Sequence, residues 1–327
     1  MAYQTASSLQ VVEPLAALVD VTLEFRTSQG KVRACDRVNL AVGRGQSLGL
    51  VGESGSGKST VIRLIQRLIR PGRGRILWQG REITRLSERQ LKPYRRHMGF
   101  VAQDPYGSLF PNRTVTGNVL EPLILHRWKN ALARKARAEE LLARVGIPPA
   151  YYAVFPHELS GGQQQRVAIA RALALSPHLL LLDEAVSSLD VSIQAQIINL
   201  LQDLKDDLEL TYLFVSHNLA VIRLLCERVA VMYLGKIVEV SDTQELFMRP
   251  RHPYTEMLIH SIPSFHDSGV SALPDYPRPA SAGAGGLSPS CPFEPRCPRA
   301  VTRCRQEPPG LRQLSDGSQV ACHRVEE

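Results

Sequence analysis

The sequence predicts an α/β fold, a mostly parallel sheet with helices on both faces. Three observations carry that prediction: short apolar runs alternate with helical ones, one apolar run ends in a glycine-rich loop, and another ends in paired carboxylates. Strands separated by helices form parallel sheets because the helix supplies the crossover each strand needs.

The elements follow in order. Residues 1–14 read as a lead-in. From 17 to 25 apolar and polar residues alternate, the period of a half-buried strand. Thr27-Ser28-Gln29-Gly30 is a turn signal, and 32–42 carries the returning strands. Residues 47–51 (SLGLV) form a short apolar strand and 60–65 a helix. Pro71-Gly72-Arg73-Gly74 breaks the pattern, after which 75–78 and 98–102 are strand-like. From 114 to 175 the apolar period shifts towards 3.6, the mark of a helical insertion. Within it, 131–145 (ALARKARAEELLARV) is amphipathic and is stopped by Gly146 and Pro148; 163–175 is a second helix, stopped by Pro177. Strand-like runs at 179–182, 212–215 and 228–234 follow, with helices between them, notably 192–204. Residues 15–262 thus form one α/β domain. Beyond it, 263–290 is a linker, with Gly, Ser, Ala and Pro and no apolar period from 266 onward, and 291–327 is a small cysteine-bearing extension.

A chain of 327 residues with 44% hydrophobic residues buries a full core. Its net charge of +8, from 39 basic and 31 acidic side chains, reads as a solvated basic surface. Aromatic residues are 6% of the chain and do not interleave with Lys and Arg, so no nucleic-acid stacking platform is expected. No run of 18 apolar residues exists, and the first residues lack the basic and apolar regions of a signal peptide. A cytosolic chain is the expectation.

Gly52-Glu53-Ser54-Gly55-Ser56-Gly57-Lys58-Ser59 fills every fixed position of the pattern G-x-x-x-x-G-K-[ST]. The strand before it and the helix opened by Thr60 supply the required context: backbone N–H groups wrap the phosphates and the helix N-terminus adds its positive end. Lys58 is expected to reach the β- and γ-phosphates and Ser59 to ligate Mg²⁺. The run at 179–182 ends in Asp183 and Glu184. Asp183 suits Mg²⁺, and Glu184 suits the water that attacks the γ-phosphate. Leu159-Ser160-Gly161-Gly162-Gln163 is a second glycine-rich segment feeding a helix, and one nucleotide does not need two such surfaces from one chain.

With these motifs in their order, residues 17–262 resemble an ATP-binding cassette (ABC) subunit. The resemblance implies ATP as substrate and assigns Gly52 to Ser59 to the Walker A loop. Gln103 takes the Q-loop position, with a role at Mg²⁺ and the attacking water; Ser160, Gly161, Gly162 and Gln163 form the signature. Asp183 and Glu184 are the Walker B pair, Asp190 lies in the D-loop, and His217 is the switch histidine. Phe25 resembles the aromatic that stacks on adenine. ATP is then clamped between Walker A of one subunit and the signature of another. Two departures stand out: Ala185 replaces the usual proline, which loosens the turn, and Gln164 replaces a frequent arginine, which weakens a contact to the facing subunit.

Cys291, Cys297, Cys304 and Cys322 crowd the extension, and in a reducing compartment four thiols point to a metal centre. Their spacings are wider than zinc knuckles, and four thiolates also suit a 4Fe–4S cluster. Arg251-His252-Pro253-Tyr254-Thr255 and Cys291-Pro292-Phe293, with Pro295-Arg296-Cys297-Pro298, resemble the C-terminal extension of oligopeptide and dipeptide importer ATPases. That resemblance implies a cluster-bearing tail packed on the cassette, with zinc as the alternative. Cys35 and Cys226 read as buried apolar residues. The run 189–196 resembles the F-type member of a D/F pair. The implied partners are a second, D-type ATPase chain, two permease subunits and an extracytoplasmic solute-binding protein, at the cytoplasmic face of the inner membrane. Related cargo includes metal chelates, nickel and glutathione. A DNA-maintenance ATPase would need a long coiled coil, a translation factor two cassettes, and an exporter would lack the peptide-type tail; the sequence offers none of these.

Overall fold

The computed structural model describes residues 14–28, 30–262 and 290–325. The expected lead-in, up to residue 13, and the linker, over 263–289, lie outside the described residues.

A long hairpin comes first: β1 (Pro14–Thr27) pairs antiparallel with a single returning strand, β2 (Gly30–Gly43). β3 (Ser47–Val51) then runs through the glycine loop into α1 (Lys58–Ile65). β4 (Arg73–Trp78) and the short β5 (Arg81–Glu82) complete a four-stranded antiparallel sheet, order β2-β1-β4-β5. α2 (Glu88–Arg95) precedes β6 (Met98–Val101), and the single turn α3 (Pro105–Ser108) follows it. The helical insertion comprises α4 (Val115–Leu125) and α5 (Ala131–Arg144), and α6 (Gly161–Leu173) returns the chain to the sheet. Alternation then resumes with β7 (Leu179–Asp183), α7 (Val191–Leu208), β8 (Thr211–Ser216), α8 (Leu219–Leu225) and β9 (Arg228–Tyr233). β10 (Lys236–Asp242), α9 (Thr243–Met248) and α10 (Pro253–His260) end the cassette. The extension holds α11 (Thr302–Gln306), β11 (Arg312–Gln313) and β12 (Gln319–Val320).

The main sheet has the order β11-β12-β10-β9-β3-β8-β7-β6, and its five strands from β9 to β6 are parallel. Strands buried on both faces read as continuous apolar runs. Leu179 and Leu181 enter the core beneath α1 and the antiparallel sheet, while Leu180 and Leu182 enter the core under α6, α7 and α8. Leu213 and Val215 alternate with Tyr212 and Phe214 in the same way.

Among the elements that the sequence pattern does not reveal are α2 and β10. In α2 only Leu91 is buried, so the helix carries no apolar stripe; it is started by a cap, in which Ser87 N donates to Gln90 Oε1 at 3.0 Å. β10 follows β9 through a tight turn in which both Leu234 and Gly235 have positive φ, at 43° and 82°.

The extension joins the sheet. β12 pairs antiparallel with β10, and Ala321 N donates to Val238 O at 2.8 Å, which covers an edge strand that would otherwise expose unpaired backbone groups. Phe293, 1% exposed, is wedged beside the rings of Tyr233, Tyr254 and His252.

His252 explains the local motif. Its Nδ1 accepts the Tyr254 N–H at 3.0 Å, capping α10, and Pro253 occupies the first helical turn, where no amide donor is needed. Complete burial depresses its pKa to about 3. The unfolded imidazole titrates near its ordinary value of about 6.5. Below that pH the unfolded chain binds one more proton, so this histidine lowers stability as pH falls, by up to about 1.4 kcal/mol per pH unit until about pH 3. His252→Asn keeps a cap acceptor and removes the titration. Its denaturation midpoint is expected to fall less between pH 7 and 5 than the wild type's, and equal slopes in the two proteins exclude this role.

Candidate nucleotide site

The parallel strands end in register. Val51 lies opposite Ser216, Asp183 opposite Val215, and Val101 opposite Leu182. Gly52, Glu184, His217 and Gln103 therefore emerge at one sheet edge, one or two residues past their strands, where open α/β sheets bind ligands.

The glycine loop is fixed by sterics. Gly52 and Gly57 have φ of 151° and 109°, and a Cβ on them would lie 2.1 Å from Met232 O and 2.3 Å from Ala34 O. No other residue type fits there without moving backbone. Lys58 is buried, and its Nζ donates to the carbonyls of Gly52 and Glu53, both at 2.8 Å, and to Ser56 Oγ at 3.4 Å. Burial pulls its pKa down, against the attraction of Glu184, Asp183 and Glu53. Its hydrogen bonds go to carbonyls and a hydroxyl rather than to a carboxylate, so the ammonium is suited to an anionic ligand. Ser54 and Gly55 are exposed and Thr60 half-buried at the start of α1.

Ser59 Oγ donates to Asp183 Oδ1 at 3.1 Å, bringing together two of the expected Mg²⁺ ligands. Burial pushes the Asp183 carboxyl up, while the Ser59 hydrogen bond opposes the shift. A divalent cation between them would favour the charged form.

Glu184 is held in the left-handed region, φ 48°. Such a backbone costs roughly 1–3 kcal/mol for a residue other than glycine and persists only where its surroundings fix it. Its N–H donates to Val215 O at 2.9 Å, and Ser187 Oγ donates to its carbonyl at 2.9 Å. Ala185 is buried directly behind, so the turn is tied by hydrogen bonds and packing without a proline. The carboxylate is gripped from both sides: Gln103 Nε2 donates to Oε2 at 2.9 Å, and His217 Nδ1 lies 3.2 Å from Oε1. This arrangement orients a carboxylate and leaves it able to accept a proton.

The signature lies apart from this cluster. Ser160 caps α6 reciprocally with Gln163: Ser160 N donates to Gln163 Oε1 at 2.9 Å, and Ser160 Oγ accepts the Gln163 N–H. Ser160 and Gly161 are exposed, whereas Gly162 is buried where a Cβ would meet Ile193 at 2.6 Å. Gln164 is buried, and its amide donates to Pro156 O and Leu159 O. It braces the turn before α6. Asp190 caps α7 through the Ile193 N–H at 2.9 Å. Phe25 is 41% exposed on β1 and stands clear of the core.

Cys291 and Cys304 are buried, Cys297 and Cys322 half-buried, and all four are free thiols. Burial pushes Cys291 up to about 11, and the neighbouring thiols add to the shift. They share one locality, yet among the described residues no group of three or more His, Cys, Asp or Glu side chains is arranged to hold a metal ion. The expectation of a metal centre is not met by this arrangement: a zinc site needs sulfurs converging at about 2.3 Å from one point. Cys35 and Cys226 are buried, as expected.

A long-range contact to the phosphate loop was beyond sequence reasoning. The Tyr254 hydroxyl accepts the Glu53 N–H at 2.8 Å, so α10 supports the phosphate loop from 201 residues away. Its signal was the Tyr254 position in the tail motif, without the partner.

The family model described as ABC transporter matches residues 35–187, and that described as Oligopeptide/dipeptide transporter, C-terminal region matches 238–304. The chain is 44% identical to the oligopeptide transport ATP-binding protein AppF of Bacillus subtilis, over 91% of this chain and 92% of that one. It is 46% identical to a probable peptide ABC transporter ATP-binding protein of Sinorhizobium fredii, over 91% and 84%. Among solved structures, the dimeric post-hydrolysis ATP-binding cassette MJ0796 bound to ADP and Pi matches with a TM-score of 0.64 and 32% identity, over 70% of this chain and 98% of that one. The cassette cbiO1 of Clostridium perfringens matches with a TM-score of 0.66 and 26% identity, over 78% and 98%.

Tyr254→Phe removes the acceptor of the Glu53 N–H and is expected to cost about 1 kcal/mol of stability, read from denaturant unfolding. An unchanged midpoint excludes the strut.

Proposed function

The chain belongs to the ABC transporter family of ATP-binding subunits, and from that membership we propose that it hydrolyses ATP to drive peptide uptake through a membrane-embedded importer. The observation that carries the chemistry is the Glu184 carboxylate held between Gln103 and His217, next to Asp183 and Ser59.

In this reading Gly52 to Thr60 cradle the phosphates and Lys58 reaches the β- and γ-oxygens. Ser59, Asp183 and Gln103 would hold Mg²⁺, which neutralises charge on those oxygens when bound. Glu184 takes a proton from the attacking water. The water oxygen bonds to the γ-phosphorus as the bond to the β–γ bridging oxygen breaks, giving ADP and phosphate. His217 orients Glu184 and the γ-phosphate. Phe25, exposed on β1, stacks on the adenine.

Gly161, exposed at the N-terminus of a 13-residue helix, offers an amide donor and Ser160 a hydroxyl donor to the γ-phosphate of a second cassette, with Gly162 and Gln163 shaping the turn. Asp190 lies at the same seam. The second cassette is a D-type chain, and the surface after Gln103, with Tyr106 and Phe110 exposed, meets the permeases. Among the described residues no helix is long and apolar enough to cross a membrane, and the chain works at the cytoplasmic face of the inner membrane through those permeases. A solute-binding protein delivers the peptide. Cys291, Cys297, Cys304 and Cys322 would have to converge to hold a 4Fe–4S cluster, with zinc the alternative; the support is a donor set of sulfur alone in one locality.

Glu184→Gln is expected to bind ATP within about two-fold of wild type and to turn over about 10²–10⁴-fold more slowly; normal phosphate release by that variant excludes Glu184 as the base. Iron and sulfide analysis of the full chain, with the visible band lost in Cys297→Ser, tests the cluster. Colourless protein loaded with zinc rejects it.

A further inference from the structure

The segment between Cys291 and Cys297 carries an arginine into the phosphate loop. Arg296 Nη1 lies 3.1 Å from both carboxylate oxygens of Glu53, and Nη2 lies 3.1 Å from Oε1. Arg296 is 8% exposed, and its guanidinium carbon sits 5.7 Å from the Phe293 ring centroid and 5.9 Å from that of Tyr233, with Met257 Sδ 3.2 Å from Nη2. A short turn fixes its backbone: Glu294 N donates to Cys291 O, Arg296 N to Phe293 O, and Cys291 N to Cys304 O. Fork geometry with an aromatic floor is specific to arginine.

Glu53 is the first variable residue of the phosphate loop. The C-terminal part of the chain holds it twice, at its N–H by Tyr254 and at its carboxylate by Arg296. Its carbonyl receives Lys58 Nζ at 2.8 Å. An uncompensated carboxylate here would repel a triphosphate across a partly buried site, where charge interactions are stronger than in water.

We infer that Arg296 of the C-terminal extension is a positioning residue for ATP: it neutralises Glu53 and fixes the phosphate loop, so nucleotide affinity depends on the tail. The inference rests on the nucleotide reading above and goes beyond it in making the extension part of the site.

Calorimetric titration of the full chain with Mg·ATP, alongside thermal melting, tests it. Arg296→Ala is expected to weaken binding about ten-fold, equivalent to about 1.4 kcal/mol. Arg296→Lys, a point charge without the fork, is expected to lose about three-fold. Adding Glu53→Gln to Arg296→Ala removes the exposed charge and is expected to bring affinity back to within about three-fold of wild type, even if the melting midpoint stays low. Unchanged affinity in Arg296→Ala overturns the inference, as does a double variant no tighter than the single one. A wild-type chain that takes up no ATP overturns the nucleotide reading and this inference with it.

Discussion

The site depends on strands that stop in register. Parallel pairing of β6, β7, β8 and β3 fixes where each strand ends, and the residues that follow are delivered to one edge whatever their distance in sequence. Gln103, Glu184 and His217 come from three connections and meet because their strands are neighbours. A slip of one residue in β7 would turn Leu180 and Leu182 from one core to the other. Burial of apolar side chains on both faces therefore sets the geometry of the polar edge.

That edge holds charge at a cost. Lys58 and Asp183 are both partly stripped of water, and each shifts toward its neutral form as burial dictates. Glu184 adds a strained backbone. Such costs persist where the surrounding packing over-determines them, and here buried Ala185 and the β8 carbonyl of Val215 do so. The same desolvation strengthens the attraction between the loop and an anionic ligand.

The extension belongs to the same physical unit. β12 closes the sheet edge at β10, Phe293 fills a gap among Tyr233, Tyr254 and His252, and Arg296 ends on the phosphate loop. Burial of Glu239 beneath its two backbone donors, Arg251 N and His252 N, at 2.9 Å each, ties the start of α10 to β10. A buried carboxylate satisfied in this way is a rigid anchor rather than a surface ornament.

The sequence by itself determined the local pieces. The glycine spacing of the loop, the apolar runs of β3, β7 and β8, the stripe of α5 and the capped start of α6 each follow from neighbours a few residues apart. Only the tertiary structure decided the rest. α2 has no apolar period, Gln164 turned inward to two carbonyls, the tail thiols gathered without forming a cage, and Glu53 met Tyr254 and Arg296 from 201 and 243 residues away. Periodicity reports which face of an element is buried; it carries no information about which distant side chain will be pressed against that face, because that is settled by packing and by the closure of the sheet.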